Sequence, residues 1–385
     1  METSKLYAEK YENFQKAINR QEGSYVPNAM TNNGGGLFWD GKTARDVAGD
    51  HHAYARALTS FLDEMWMDVN VLSGLTTTPR ISDTFPTAEN RLARDGTLTH
   101  LQMSPMEAGE YDQLTADPRA FIANVLLPRK FPDLFASRET ARASLKVFAE
   151  ERLDCFVTQM GYTSKYLAET YGVHTCVNMG LILNTPLDHI FDYFRGFRGT
   201  LTDLRRQPDK VRAALDAIWE YQHARRISAP YDASKGYPFQ PCHIPAYLSP
   251  RQFREFYWPY EKQLIEWVAA SGSKIFLVLE GRWENIWDCF LEAPKDSLVL
   301  NVDDDDVIRA SEVLGGHQII CGGLKLGDTR LKSFDQMKDD IKRVIDTCAP
   351  GGGFIFSTDK GFLTPGDISP TLIRCFNLAH EYSGK

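Results

Sequence analysis

Lys274–Arg282 reads KIFLVLEGR: five apolar residues, Ile275 to Leu279, end abruptly in Glu280-Gly281. Three more such runs follow, separated by helix-like segments. Ser297–Asp303 (SLVLNVD) ends in an acid, His317–Gly323 (HQIICGG) in Cys-Gly-Gly, and Gly352–Asp359 (GGFIFSTD) in another acid. Continuous apolar runs of this length, alternating with helical patterns, predict buried parallel strands. In a parallel barrel the C-terminal strand ends face the active site. Successive units therefore deliver polar groups to one mouth, which marks the chain as an enzyme.

Upstream the signals are weaker. Residues 1–22 predict a solvated lead-in helix. Strands are expected at Tyr25–Thr31, Asp68–Ser73, Asp154–Gln159, His174–Met179 and Tyr237–Ala246. With the four above they make nine, one more than an eight-stranded barrel needs. Residues 75–150, rich in Thr, Pro and charge, predict a long insertion carrying helices, in the place of a lid. Helices are expected at Asp50–Trp66, Pro186–Phe194 and Asp209–Ala229. Ser249-Pro250 starts another with a capping Ser and Pro in the first turn, and Pro259 should kink it. Repeated βα units give a parallel sheet or closed barrel. The expected architecture is one α/β unit over residues 1–385, a TIM (β/α)8 barrel with an N-terminal helical extension and a helical insertion.

The chain has 385 residues, 43% hydrophobic and 24% charged, with a net charge of −8. That balance argues against nucleic acid as a partner. The seven cysteines include no CxxC pair, which argues against a disulfide framework or a cysteine-rich zinc site. The first twenty residues are polar rather than signal-like. No run of 18 apolar residues suggests a membrane span, and a reducing cytoplasm is the expected compartment.

Several stretches resemble the uroporphyrinogen decarboxylase superfamily of TIM-barrel enzymes. They are VPNAM, GDHHAYARALTSFLDEMWMDV, PLDHIFDYFRGFRGTLTDLRRQPDKV, LSPRQFREFYWPYEKQLIEWVAASG and GGGFIFSTD. The FYWP helix and the F-x-x-x-EG strand end look most like the branch of methyltransferases that work with corrinoid proteins in O-demethylation. Two departures matter. The decarboxylases carry an arginine-rich N-terminal motif for substrate carboxylates, whereas Tyr25–Gly36 (YVPNAMTNNGGG) holds no arginine. The coenzyme M methyltransferases carry His-x-Cys and a distant Cys that bind zinc. The matching places here are Val278, Glu280 and Asp359.

The resemblance implies methyl transfer from a small O-methylated, preferably aromatic, substrate to the Co(I) of a corrinoid (cobalamin) on a partner protein. No D-x-H-x-x-G corrinoid motif occurs in the chain. It also implies a homodimer. The cofactor supplies the hard chemistry, and the protein must make the phenolate a better leaving group by proton donation or a Lewis acid. Glu280 and His243 are the expected polarising pair. They act with or without a zinc ion held by His243, Glu280 and Asp359, and Asp303 and Asp359 orient them. Asn178, Trp258 and Gly322 are expected to contact substrate, Gly322 by letting a ligand approach the backbone. Asp304, Asp305 and Asp306 read as helix-start charge, and Cys321 as a buried small residue. Two alternatives stand: a decarboxylase or lyase acting on a smaller acid, and a non-catalytic binding protein on a decayed barrel.

Overall fold

The computed structural model describes residues 2–385, the side chains of Glu2, Met179 and Arg225 excepted. Eight parallel strands close a barrel: β1 Ala29–Asn32, β2 Val69–Ser73, β3 His174–Thr175 with Val177–Ile182, β4 Tyr237–Cys242, β5 Ile275–Leu279, β6 Leu298–Val302, β7 Ile319–Leu324 and β8 Phe354–Thr358. The second part of β3 through β8 form one continuous sheet in chain order, and β1, β2 and the start of β3 form another. Cys176 joins them within β3, donating to Asn70 O at 3.0 Å and accepting from Tyr237 N at 2.9 Å. The bridge Asn28–Phe356 joins β8 back to β1.

Alternation along the strands sorts their side chains. Val69, Val71, Phe239, Phe276, Val299, Ile319, Cys321 and Ile355 fill the barrel interior with Phe14, Ala17 and Ile18 of the first helix, Glu2–Ile18. That helix closes the N-terminal end. Beyond it Arg20 holds Asp296 and Gly315 O, with Gln318 O at 2.8 Å. The opposite strand faces, among them Leu277, Leu279, Leu298, Leu300 and Phe356, pack outward under the helices.

The ninth expected strand is helical. Asp154–Gln159 forms a widened turn inside a continuous helical stretch from Arg138 to Tyr171. Its apolar triplet Cys-Phe-Val reads locally as strand, but helix formers flank it on both sides. The five-residue step between buried Cys155 and Met160 fits a π-type turn rather than a pleat. The expected kink at Pro259 is a break one turn earlier. One helix ends at Phe256, and the next, Trp258–Ala269, takes Pro259 into its first turn, where a missing N–H costs nothing.

Between β2 and β3 the chain leaves the barrel for about a hundred residues, with short helices, the long helical stretch and one antiparallel hairpin, Asn90–Leu92 with Leu98–His100. Arg152 and Cys155 pin this excursion to the loop after β2, through Thr76 O at 2.6 Å and Leu75 O at 3.0 Å. Among the described residues no helix is long and apolar enough to cross a membrane.

Candidate active site

Continuing each interior row by two residues places functional groups at the C-terminal mouth. Val278 leads to Glu280, Asn301 to Asp303, Ser357 to Asp359, and Pro241 to His243. The adjacent outward positions of β4, Gln240 and Cys242, instead meet Glu261 and Tyr257 of the surrounding helices.

Glu280 is half-buried, and its backbone N–H extends the ladder to Cys242 O at 2.9 Å. The turn behind it is tightly held. Gly281 has φ +82° and donates to Asp303 Oδ2 at 2.8 Å, and Trp283 donates to Asp305 Oδ2 at 2.6 Å. A Cβ at position 281 would lie 2.8 Å from Ala246 Cβ, so glycine is required on both conformational and steric grounds. Among the described residues the Glu280 carboxyl has no hydrogen-bond partner from the protein. Burial raises its pKa, the His243 charge opposes that rise, and Asp303 and Asp192 add to it.

His243 follows β4 directly. Its Nε2 lies 3.0 Å from Asp192 Oδ1, on the helical segment after β3. Burial pulls its pKa down, but the bond to Asp192 and the charges of Asp192, Glu280 and Asp188 outweigh this and raise it to about 8. Phe191 stands edge-on to the imidazole at 6.0 Å between centroids, and Phe197 and Tyr247 extend the aromatic wall.

Asp303 is buried, and besides Gly281 N it faces Lys360, whose Nζ lies 3.1 Å from Oδ1 in an ion pair rather than an aligned hydrogen bond. Lys360 also reaches Asp304 at 3.2 Å. Lys325 binds the carbonyls of Asp303 and Asp305, the latter at 3.1 Å. Asp306 caps the next helix through Ile308 N and Arg309 N, as the acidic run suggested.

Other expected residues fall elsewhere. Asp359 spends one oxygen on Leu326 N at 2.8 Å and Lys360 N at 2.9 Å, shaping the turn after β8. His243 is engaged by Asp192. Among the described residues no three His, Cys, Asp or Glu side chains are grouped to hold a metal ion, so the set His243, Glu280 and Asp359 is not assembled. Asn178 does not end its strand. β3 continues past a bulge to Ile182, and Asn178 accepts from Gly180 N at 3.0 Å and faces Tyr231 on the helix side. Trp258 is buried among helices, with Nε1 donating to Glu292 at 3.2 Å. Gly322 has φ +140°, and a Cβ there would meet Val302 O and Val307 rather than open space. It serves strand–helix packing. Cys321 is buried in the barrel interior.

Asp192, Lys325 and Lys360 were not singled out in the sequence. Asp192 lies 51 residues before His243 in chain order, so no local spacing links the two. Lys360 carried a visible signal, since it directly follows a strand-end acid.

The family model for uroporphyrinogen decarboxylase (URO-D) matches residues 189–382, which contain β4 to β8 and most of the mouth. No curated protein matches the chain.

Proposed function

The chain belongs to the uroporphyrinogen decarboxylase family, and from that premise we propose that it transfers a methyl group from a small O-methylated aromatic substrate to a corrinoid on a partner protein. The observation that carries this reading is the pair at the mouth. Among the described residues Glu280 is a carboxyl without a protein hydrogen bond, pushed toward its neutral form by burial, and it interacts electrostatically with an imidazole held by Asp192. Such a pair suits an oxygen leaving group that must gain a proton as its bond to carbon breaks. The corrinoid, once its carrier is docked, supplies the nucleophile that takes the methyl group.

Glu280 donates the proton to the ether oxygen. His243, charged below about pH 8, stabilises the carboxylate left behind. Asp303 acts through the backbone, fixing the Gly281 turn that presents Glu280. The aromatic wall of Phe191, Phe197 and Tyr247 offers the apolar face an arene requires. Tyr25–Gly36 holds no arginine, which disfavours a porphyrinogen with many carboxylates.

Anaerobic assay with corrinoid, free and carrier-bound, and a panel of methoxyarenes tests this. Phenol release with matching change in corrinoid absorbance is expected. Glu280→Gln should lower the rate by roughly 10²–10⁴-fold while leaving substrate binding intact. Full activity in Glu280→Gln would remove its role. Carbon dioxide release from a small acid without corrinoid would replace the reading with a decarboxylase.

A further inference from the structure

Gln240 and Glu261 meet between β4 and the helix Trp258–Ala269. Both are buried, at 0% and 2% exposed. Gln240 Nε2 donates to Glu261 Oε2 at 2.6 Å. The remaining oxygens, Gln240 Oε1 and Glu261 Oε1, are also buried, and among the described residues neither has a partner. Buried polar atoms without partners are uncommon in native interiors, and each calls for a physical account. An ionised carboxylate only accepts hydrogen bonds, so an ionised Glu261 has nothing to give Gln240 Oε1. Turning the Gln240 amide over would aim its oxygen at the carboxylate instead. One proton on Glu261 Oε1 supplies the missing donor. Given to Gln240 Oε1, it closes a ring of two hydrogen bonds between acid and amide and satisfies both oxygens.

No protein cation stands in for that proton. Among the described residues Glu261 forms no ion pair. The titratable groups around it are Asp188 at the start of the helical segment after β3, Cys242 on β4 and Tyr257 just ahead of its own helix. Asp188 is itself buried and takes donors from Thr185 N at 2.5 Å, Thr185 Oγ1 at 3.0 Å and Tyr257 Oη at 3.2 Å. Tyr257 Oη also lies 3.2 Å from Cys242 Sγ. Arg212 and Asp216 act on Tyr260, and Glu292 on Trp258, rather than on Glu261. Burial raises the Glu261 pKa, the bond from Gln240 opposes the rise and Asp188 adds to it, which leaves it at about 8.

Gln240 and Cys242 are the outward side chains at the end of β4, and His243 follows them. We propose that Glu261 is a positioning residue, a neutral acid whose proton bonds Gln240 and so fixes the end of β4 that presents His243. Loss of that proton leaves an unpaired buried anion beside Asp188 and loosens β4 from the helix. This anchoring does not depend on methyl transfer.

Denaturant unfolding of the full chain compares the wild type with Glu261→Gln, which keeps the shape and cannot titrate. The folded chain keeps a proton that the unfolded chain releases above the ordinary glutamate value of about 4.3. The stability this contributes is therefore fully present below that value and is lost as pH rises toward about 8. The wild-type unfolding constant, relative to that of Glu261→Gln, should rise by roughly tenfold per pH unit over that window and then level off. Hydrogen exchange reads the positioning. Exchange at β4 amides, normalised to β6, should accelerate above about pH 8 in the wild type and not in Glu261→Gln.

A constant ratio of unfolding constants overturns the proposal, and so does β4 exchange that tracks β6 in both chains. Should Glu261→Gln fail to fold, carbon-13 NMR of the wild-type glutamate carboxyls decides. One carboxyl besides that of Glu280, told apart by its persistence in Glu280→Gln, should stay protonated at about pH 7. If every other glutamate titrates in the ordinary range, the proposal falls.

Discussion

His243 links protonation to stability and, under the proposed chemistry, to rate. Its pKa in the folded chain, about 8, lies above the ordinary imidazole value. The stabilisation from its partners is therefore fully present below about pH 6.5 and is lost as pH rises through about 8. Methyl transfer should decline through the same window. Asp192→Asn removes the nearest negative charge, leaving burial to dominate, so the alkaline limb of the pH–rate profile should move to lower pH. A limb that stays in place would show that another group sets it. Glu280 and His243 were legible because strand ends announce themselves. Asp192 was not, because ion-pair partners meet through folding rather than through spacing.

The elements divide according to how strongly their sequence contrasts with what surrounds it. β5 to β8 were readable because each is a dense apolar run bounded by turn residues and followed by a helix with its own periodicity. Asp154–Gln159 misled because three residues of strand character say little inside a long helix, where the flanking segments decide the conformation. Asn178 misled because the bulge in β3 lets the strand resume after an apparent end. The helix Phe334–Cys348 shows local chemistry doing what spacing predicts. Ser333 and Gln336 form a reciprocal capping box at its start. Ser333→Ala should cost about 1 kcal/mol in chemical denaturation, because the hydroxyl that accepts from Gln336 N is lost.

At the scale of the molecule, the two barrel ends have separate duties. The N-terminal end is sealed by the first helix, with Phe14 fully buried against the interior and its ring 6.4 Å from that of Tyr237. Phe14→Ala should lower stability by about 3–5 kcal/mol, shifting the urea midpoint with little change in its slope. A small loss would mean that the helix docks mainly through Arg20. The C-terminal end carries the charged groups and the long excursion after β2. The sequence showed a gap between strong strands over 75–150, but the excursion continues through the helix ending at Tyr171, because Asp154–Gln159 is helical.

The closure of the barrel is uneven. β7 and β8 match along five residue pairs, from Ile320–Phe354 to Leu324–Thr358. β8 and the residues after it meet β1 and its flanks through two isolated bridges, Asn28–Phe356 and Asn32–Phe362, with Phe356 donating to Pro27 O at 3.0 Å and Phe362 to Thr31 O at 2.8 Å. Pro27 has no N–H to return. The ring thus has a latch rather than a uniform weld. In native-state hydrogen exchange the Phe356 and Phe362 amides should trade with solvent through openings smaller than global unfolding, ahead of the β5–β6 amides. The cylinder would then breathe along one line, next to the loop that follows β1.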